Sequence, residues 1–284
     1  MEWYRHKSGA QVRVNREGGL VYLTFPILEG QKQAAHLFTT RLGGVSEGIY
    51  STMNLSYTRG DRKETVDENY RRIAGLLGCG VEDMVCADQT HTTNLRVVGR
   101  KDCGKGIVRE KDYHDVDGLL TDEPGVYLVT FFADCVPLYF VDTKRQAVAL
   151  AHSGWRGTAA RMGQCVVEKM REVYGTDPAD IVAAVGPSIC QECYEVGGEV
   201  AEAFASAFRK PGQEQEILLS KGGGKYQLDL WRANEIVLTE AGVPQEQIQV
   251  TDLCTCHNSR YLFSHRASHG QRGNLGAFLG LKGV

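Results

Sequence analysis

Cys135 and His152 are the residues of this chain with both the chemistry and the setting of a reactive site. Cys135 closes the tripeptide Ala133-Asp134-Cys135, which separates two apolar runs at residues 127–132 and 136–141. A third apolar run, residues 147–151, ends in His152 and then Ser153-Gly154-Trp155-Arg156-Gly157. A thiolate and an imidazole are good ligands for a soft metal. Strand ends on a rigid sheet hold such groups in place. His91, in Asp88-Gln89-Thr90-His91, is a third ligand in a similar context. Two imidazoles and one thiolate make a catalytic zinc set with the fourth position left to water. Zinc there deprotonates Cys135 and lowers the pKa of bound water to about 7.

The three ligands are far apart in the chain, so other readings stay open. Cys135 and His152 also fit a thiolate–imidazolium pair in a metal-free hydrolase or amidase, with Asp134 or Gln89 assisting. A cell-wall precursor peptide is a substrate of that class. A metal-binding scaffold that only docks partners uses the same residues without turnover. Cys190-Gln191-Glu192-Cys193 and Cys254-Thr255-Cys256-His257 resemble a structural zinc site only in part. A CxC pair is poor for one tetrahedral site, so these are expected to be loop thiols lining a cleft.

Three arginines are placed to receive an anion bidentately: Arg41, Arg156 and Arg266. Arg41 leads into Leu42-Gly43-Gly44-Val45-Ser46-Glu47-Gly48, where glycines would let the backbone approach a ligand. No Gly-Lys-Ser/Thr closes that loop, so it is not a Walker phosphate loop.

Alternating and helical patterns supply the scaffold. Strands are expected at residues 19–25, 36–41, 84–87, 95–98, 117–122, 181–185, 248–251, 261–265 and 277–281, besides the three central runs. A helix is expected from a Thr65 cap to Leu77, with Gly78 as its stop. A second covers residues 158–174, with Met162, Cys165, Val166, Met170 and Val173 as its apolar stripe. Residues 197–208 and 230–241 also read as helices. Residues 101–114 read as a surface excursion and 213–226 as a polar connection. Strands cluster without βαβ alternation, which favours an α+β chain with a mixed sheet in one domain spanning residues 1–284.

The composition is that of a globular protein: 42% hydrophobic and 24% charged residues over 284 positions. A net charge of −3 gives no footprint for nucleic acid. No apolar run is long enough to span a bilayer. The first residues lack the apolar core of a signal peptide, and nine cysteines are an odd number. Both points favour a cytoplasmic protein with thiols and metal ligation rather than disulfides.

Taken together, these segments resemble the laccase-domain (YfiH-type) family, also described as polyphenol oxidase-like and as multifunctional purine nucleoside enzymes. The resemblance runs through Thr39-Thr40-Arg41 with Gly43–Gly48, Met53-Asn54-Leu55, Asp88–His91, Asp117–Thr121, Ala133–Pro137, Ala151–Gly157, Gly186–Ile189, Cys193–Val196 and Asp252–Thr255. It implies an α/β/β/α sandwich and a zinc (Cu2+ being the other metal to consider) held by His91, Cys135 and His152. It implies phosphorolysis of adenosine, inosine and methylthioadenosine, with deamination of adenosine. The partners it implies are a purine nucleoside and phosphate, acting on a monomer or homodimer. Copper-dependent oxidation of phenols is the older description. Such chemistry needs several coppers fed by many histidines, and the chain has eight.

On this reading Cys135 is both ligand and catalytic residue, and Asp134 or Glu195 carries the proton to the leaving ammonia. The substrate-binding candidates are Arg41, Gly43 and Gly44 for the anion, Ser188 and Tyr194 for the base, and Asn54, Gln89, Arg156 and Arg266. One departure stands out. The family's Phe-Ser-Tyr-Arg-Arg is here Phe263-Ser264-His265-Arg266-Ala267.

Overall fold

A computed structural model describes residues 1–6 and 12–283. Among these the strands are β1 (Arg13–Glu17), β2 (Leu20–Thr24), β3 (Ala34–Thr39), β4 (Met84–Cys86), β5 (Leu95–Val97), β6 (Gly118–Thr121), β7 (Tyr127–Phe132), β8 (Val136–Asp142), β9 (Ala147–Ser153), β10 (Ile181–Val185), β11 (Glu195–Gly197), β12 (Leu218–Gly222), β13 (Lys225–Leu228), β14 (Ile248–Val250) and β15 (Leu275–Leu281). The helices are α1 (Pro26–Glu29), α2 (Lys63–Leu77), α3 (Trp155–Ala159), α4 (Met162–Tyr174), α5 (Gly198–Ala207), α6 (Gln213–Ile217) and α7 (Leu230–Glu240). No described helix is long and apolar enough to cross a membrane.

Two six-stranded mixed sheets stack face to face, in the orders β1-β2-β3-β15-β7-β4 and β14-β10-β8-β9-β6-β5. A small third sheet, β11-β13-β12, flanks them. Strand periodicity assigns the layers. Leu128 of β7 and Leu279 of β15 face inward to meet Tyr139, Leu150 and Val182 of the second sheet. Their neighbours Val129 and Phe278 face outward onto Val66, Tyr70 and Ile73 of α2. On the opposite side Leu138, Phe140, Ala149 and Ala183 pack under Met162, Val166 and Met170 of α4 and Val237 of α7. The chain is therefore an α+β protein with an α/β/β/α sandwich. Each fully buried large aliphatic or aromatic side chain contributes about 1.5–3 kcal/mol to it.

That alternation also aims the reactive residues. In β9, Ala147, Ala149 and Ala151 point to the helices, while Val148 and Leu150 point between the sheets. His152 shares the parity of Val148 and Leu150, and its ring lies 5.5 Å from that of Phe132 in β7. The site thus forms at one end of the intersheet layer.

Several local expectations change. Helix α2 starts at Lys63, and the Thr65 hydroxyl donates back to the Arg62 carbonyl instead of capping. Gly78 does end it, at φ +67°. The helix expected at 158–174 is two helices, broken where Arg161 takes φ +61°. Val167 joins the buried stripe, and Val173 is exposed. Residues 261–265 form turns, not a strand, because the Tyr261 and Leu262 N–H groups both donate to the Asn258 carbonyl. The polar connection at 213–226 contains α6 and a hairpin of β12 and β13. The excursion at 101–114 folds inward: Asp102 and Lys105 are buried as an ion pair of 2.6 Å.

Candidate metal centre and its cavity

Strands β8 and β9 form an antiparallel hairpin in which Val136 faces Ser153 and Pro137 faces His152. Cys135 precedes the first strand and so lies beside His152. Asp117 precedes β6, which pairs with β9 at Gly118 and Ala151. Its backbone carbonyl accepts the His152 N–H at 2.8 Å. Its buried carboxylate accepts His152 Nδ1 at 2.7 Å. The same carboxylate accepts the backbone N–H groups of Thr90, His91 and Thr92 at 3.0, 3.1 and 2.9 Å. It therefore holds the loop that carries His91, a residue at φ +68°. Donor atoms of His91, Cys135 and His152 all lie within 4.8 Å of one another, with Cys135 Sγ 4.0 Å from His91 Nε2. The closeness makes Gly154 a tight position: a Cβ there would sit 3.0 Å from the His91 ring and 3.1 Å from Cys135 Sγ, so these ligands would have to shift to admit it.

The electrostatics favour a thiolate on Cys135. Burial by itself raises the Cys135 thiol, but the His152 and His91 imidazoles outweigh it and hold it at about 6. Burial lowers His152, while the Cys135 thiolate and Asp117 lift it to about 9. Burial raises Asp117, but its bonds from His152, Thr92 and Thr90 keep it at about 2. Because a carboxylate only accepts, Asp117 fixes the proton of His152 on Nδ1 and leaves the Nε2 lone pair for a metal. The three residues fit the metal that their types suggest. Asp117 was not among the sequence candidates as a site residue. An acidic residue 35 positions before His152 in the chain carries no spacing signal.

The centre opens into a cavity of about 430 Å³. His91, Cys135 and His152 line it with Phe131, Phe132, Gln89, Asp88, Lys111, Arg59 and Arg272. Gln89 is the expected substrate residue found there. Both ends of its amide are tied to the backbone of Phe131, at 2.8 and 2.7 Å. Arg59 and Arg272 escaped sequence reasoning because nothing local marks them. Burial and the neighbouring Arg59 lower the Arg272 guanidinium to about 10. Its Nε has no hydrogen-bond partner among the described residues.

The other candidates lie elsewhere. Arg41 donates to the carbonyls of Ser51 and Ser259 at 2.8 and 3.0 Å and lines a separate depression of about 310 Å³, which it shares with Arg272. Gly43 and Gly44 serve close packing of the chain on itself: a Cβ would lie 2.7 Å from the Gly19 carbonyl and 2.2 Å from that of Thr52. They form no cradle open to an anion. Asn54 is buried, its amide bridging Ser56, Asp61 and Asn274. Arg156 is exposed and stacks 4.3 Å from its neighbour Trp155. Ser188 is buried and accepts the Trp231 indole N–H at 2.7 Å. Arg266 lies over the Tyr194 ring and donates to the carbonyls of Cys193 and Glu195. Glu195 pairs with Lys221 and Lys225 on the small sheet, and neither it nor Asp134 lines the cavity. Both oxygens of Asp134 are occupied, by the Thr255 hydroxyl at 2.6 Å and the Arg266 N–H at 2.7 Å.

Fold and site define a class: a two-sheet sandwich with a histidine–cysteine centre at the end of its intersheet layer. Residues 35–282 match the family described as "Multi-copper polyphenol oxidoreductase laccase", and the chain belongs to that family. It is 35% identical to the purine nucleoside phosphorylase YlmD of Bacillus subtilis, over 89% of this chain and 91% of that protein. It is likewise 35% identical to the adenosine deaminase RL5 of an unknown prokaryotic organism, over 82% of this chain and 89% of that protein. The crystal structure of the hypothetical protein YfiH of Bacillus licheniformis superposes with a TM-score of 0.87 at 34% identity, covering 95% of this chain and 99% of that one.

Proposed function

We propose that this chain is a zinc-dependent enzyme of purine nucleosides, cleaving them by phosphorolysis and deaminating adenosine. The observation that carries this reading is the convergence of His91, Cys135 and His152 on one wall of a 430 Å³ cavity lined by aromatic and cationic residues. That size and lining suit a nucleoside. The names of the two curated relatives support the same reading.

Zinc bound by His91, Cys135 and His152 would supply a Lewis acid to an oxygen in the cavity. The chain's own residues do the rest. Phe131 and Phe132 offer apolar surface to the purine. Arg59 and Arg272 line the same cavity and are the cationic groups placed to receive phosphate. Asp88 is the carboxylate of the lining, and its pairing with Lys111 keeps it ionised. Asp134 acts through position, locking Thr255 and the backbone of Arg266 next to Cys135. Gln89 fixes the backbone at Phe131, and Asp117 orients His152.

Zinc-loaded protein given adenosine and phosphate is expected to release adenine, inosine or both, as read by chromatography, with Cys135→Ala inactive. Absence of all purine products from the loaded wild type overturns the proposal. The polarised Cys135–His152 pair also suits a metal-free thiolate nucleophile. Turnover that survives zinc removal but not Cys135 alkylation would select that second reading.

A further inference from the structure

Four soft ligands that the proposed reaction does not use gather beneath the loops next to the site. Donor atoms of His6, Cys190, Cys254 and His257 lie within 4.8 Å of one another, and both cysteines are buried. They come from three segments distant in sequence: the N-terminal residues, the loop after β10 and the loop after β14. Each segment is independently pinned. The His6 N–H donates to the Asp252 carbonyl at 3.0 Å, and Arg5 pairs with Asp252 at 2.6 Å. Tyr4 and Asn258 exchange hydrogen bonds of 2.9 and 3.0 Å. Ser188 and Cys254 form a parallel bridge.

The separations are those of ligands around a common centre. Cys190 Sγ stands 3.7 Å from His257 Nδ1, which stands 3.4 Å from His6 Nε2. A tetrahedral zinc with bonds of about 2.3 Å to sulfur and about 2.05 Å to nitrogen places S and N about 3.5 Å apart and two N atoms about 3.3 Å apart. The N–H groups of Cys190 and His257 both point at Cys254 Sγ, at 3.3 and 3.5 Å, and so favour a thiolate there. Glu192 lies 3.8 Å from His257 Nε2, the outer nitrogen, and so favours the proton there and the lone pair on Nδ1 inward. Tyr4 packs on both imidazoles and holds their planes.

We propose that His6, Cys190, Cys254 and His257 form a second metal site, structural and of the zinc class. Two thiolates with two imidazoles select a soft, tetrahedral ion. Four protein ligands leave no position open for substrate, which separates this site from the centre at Cys135. Its role is to staple the N-terminal segment to two loops that brace the catalytic hairpin. Ile189, next to Cys190, donates to the Asp134 carbonyl at 3.0 Å, and Thr255, next to Cys254, holds the Asp134 carboxylate. The paired-cysteine spacing obscured the site in the sequence, because one cysteine of each pair is used and the fourth ligand is residue 6.

The test is the metal content of the full chain, free of affinity tag and purified without chelator. Wild type is expected to hold about two zinc ions per chain. His152→Ala, which disables the first centre, is expected to keep about one, and adding His6→Ala to it should weaken that ion about tenfold or more. Cobalt loaded into His152→Ala should show the visible bands and sulfur charge transfer of a tetrahedral two-thiolate ion, both reduced by Cys190→Ser. If Cys190→Ser misfolds, the His6→Ala pair still decides. A folded His152→Ala protein that holds no zinc overturns the proposal, as does a Cys190–Cys254 disulfide found by mass spectrometry. Neither result bears on nucleoside turnover.

Discussion

Asp117→Asn is the sharpest perturbation of the candidate centre. The two side chains have the same shape, so packing is kept. Asp117 Oδ1 faces the His91 N–H and His152 Nδ1, and Oδ2 faces the Thr90 and Thr92 N–H groups and the Thr92 hydroxyl. An amide must turn its NH2 toward one of these sets. Toward Oδ2 it meets two backbone N–H groups. Toward Oδ1 it meets the His91 N–H and favours a His152 with its proton on Nε2, which blocks the metal-binding lone pair. Each buried donor left without an acceptor costs about 1–3 kcal/mol, so the variant should be about 2–5 kcal/mol less stable. Loss of an outer carboxylate that orients a histidine ligand costs about 10–100-fold in metal affinity. Competition with a chromophoric chelator measures the affinity, and urea unfolding of the metal-free protein measures the stability. Thr92→Val is the control: it removes one bond to Oδ2 and should leave zinc affinity within about threefold of wild type. Zinc binding by Asp117→Asn within the same range would refute the orienting role.

Gly154→Ala should weaken zinc binding about tenfold, because the added methyl group crowds His91 and Cys135; an unchanged titration counts against this packing. Arg272→Ala should raise the KM for phosphate about tenfold or more while adenosine deamination keeps its kcat, and equal loss of both activities would argue against an anion role. His36 is held at about 4, below its ordinary 6.5, first by burial and then by Lys282. Its Nε2 accepts the Phe25 N–H at 2.9 Å. The unfolded chain therefore takes up this proton first, so the stability it confers is present above about pH 6.5 and is lost as pH falls toward 4, amounting to about 3 kcal/mol. Urea midpoints across that range should fall less in His36→Gln than in wild type, and parallel profiles would sink the assignment.

The reach of local pattern explains what was legible. The apolar run 147–151 marks the strand that delivers His152, although which face His152 takes is set by the stacked sheets, and the helical spacing of Val66, Tyr70 and Ile73 gives α2 its buried face. Turn chemistry reads less reliably. The apolar stretch 261–265 looks like a strand, but the Asn258 carbonyl accepts two N–H groups from it and no ladder partner is present among the described residues. The glycines at 43 and 44 mark a close approach correctly, yet what approaches is the chain's own backbone at Gly19 and Thr52. Residue type and spacing cannot tell a ligand from a neighbouring strand.

From the sequence alone follow an α+β chain with a mixed sheet and the candidacy of His91, Cys135 and His152, while the sandwich layering and the shared metal come only as what the family resemblance implies. Side-chain chemistry and periods of two and 3.6 residues are what a linear string records. Tertiary structure decides which partners complete the site. Asp117 reaches His152 across a strand pair, Arg59 meets Arg272 from more than 200 positions away, and His6 meets Cys190, Cys254 and His257 from the far end of the chain. Such pairings are set by how two sheets stack and where their loops fall, and no local periodicity encodes them.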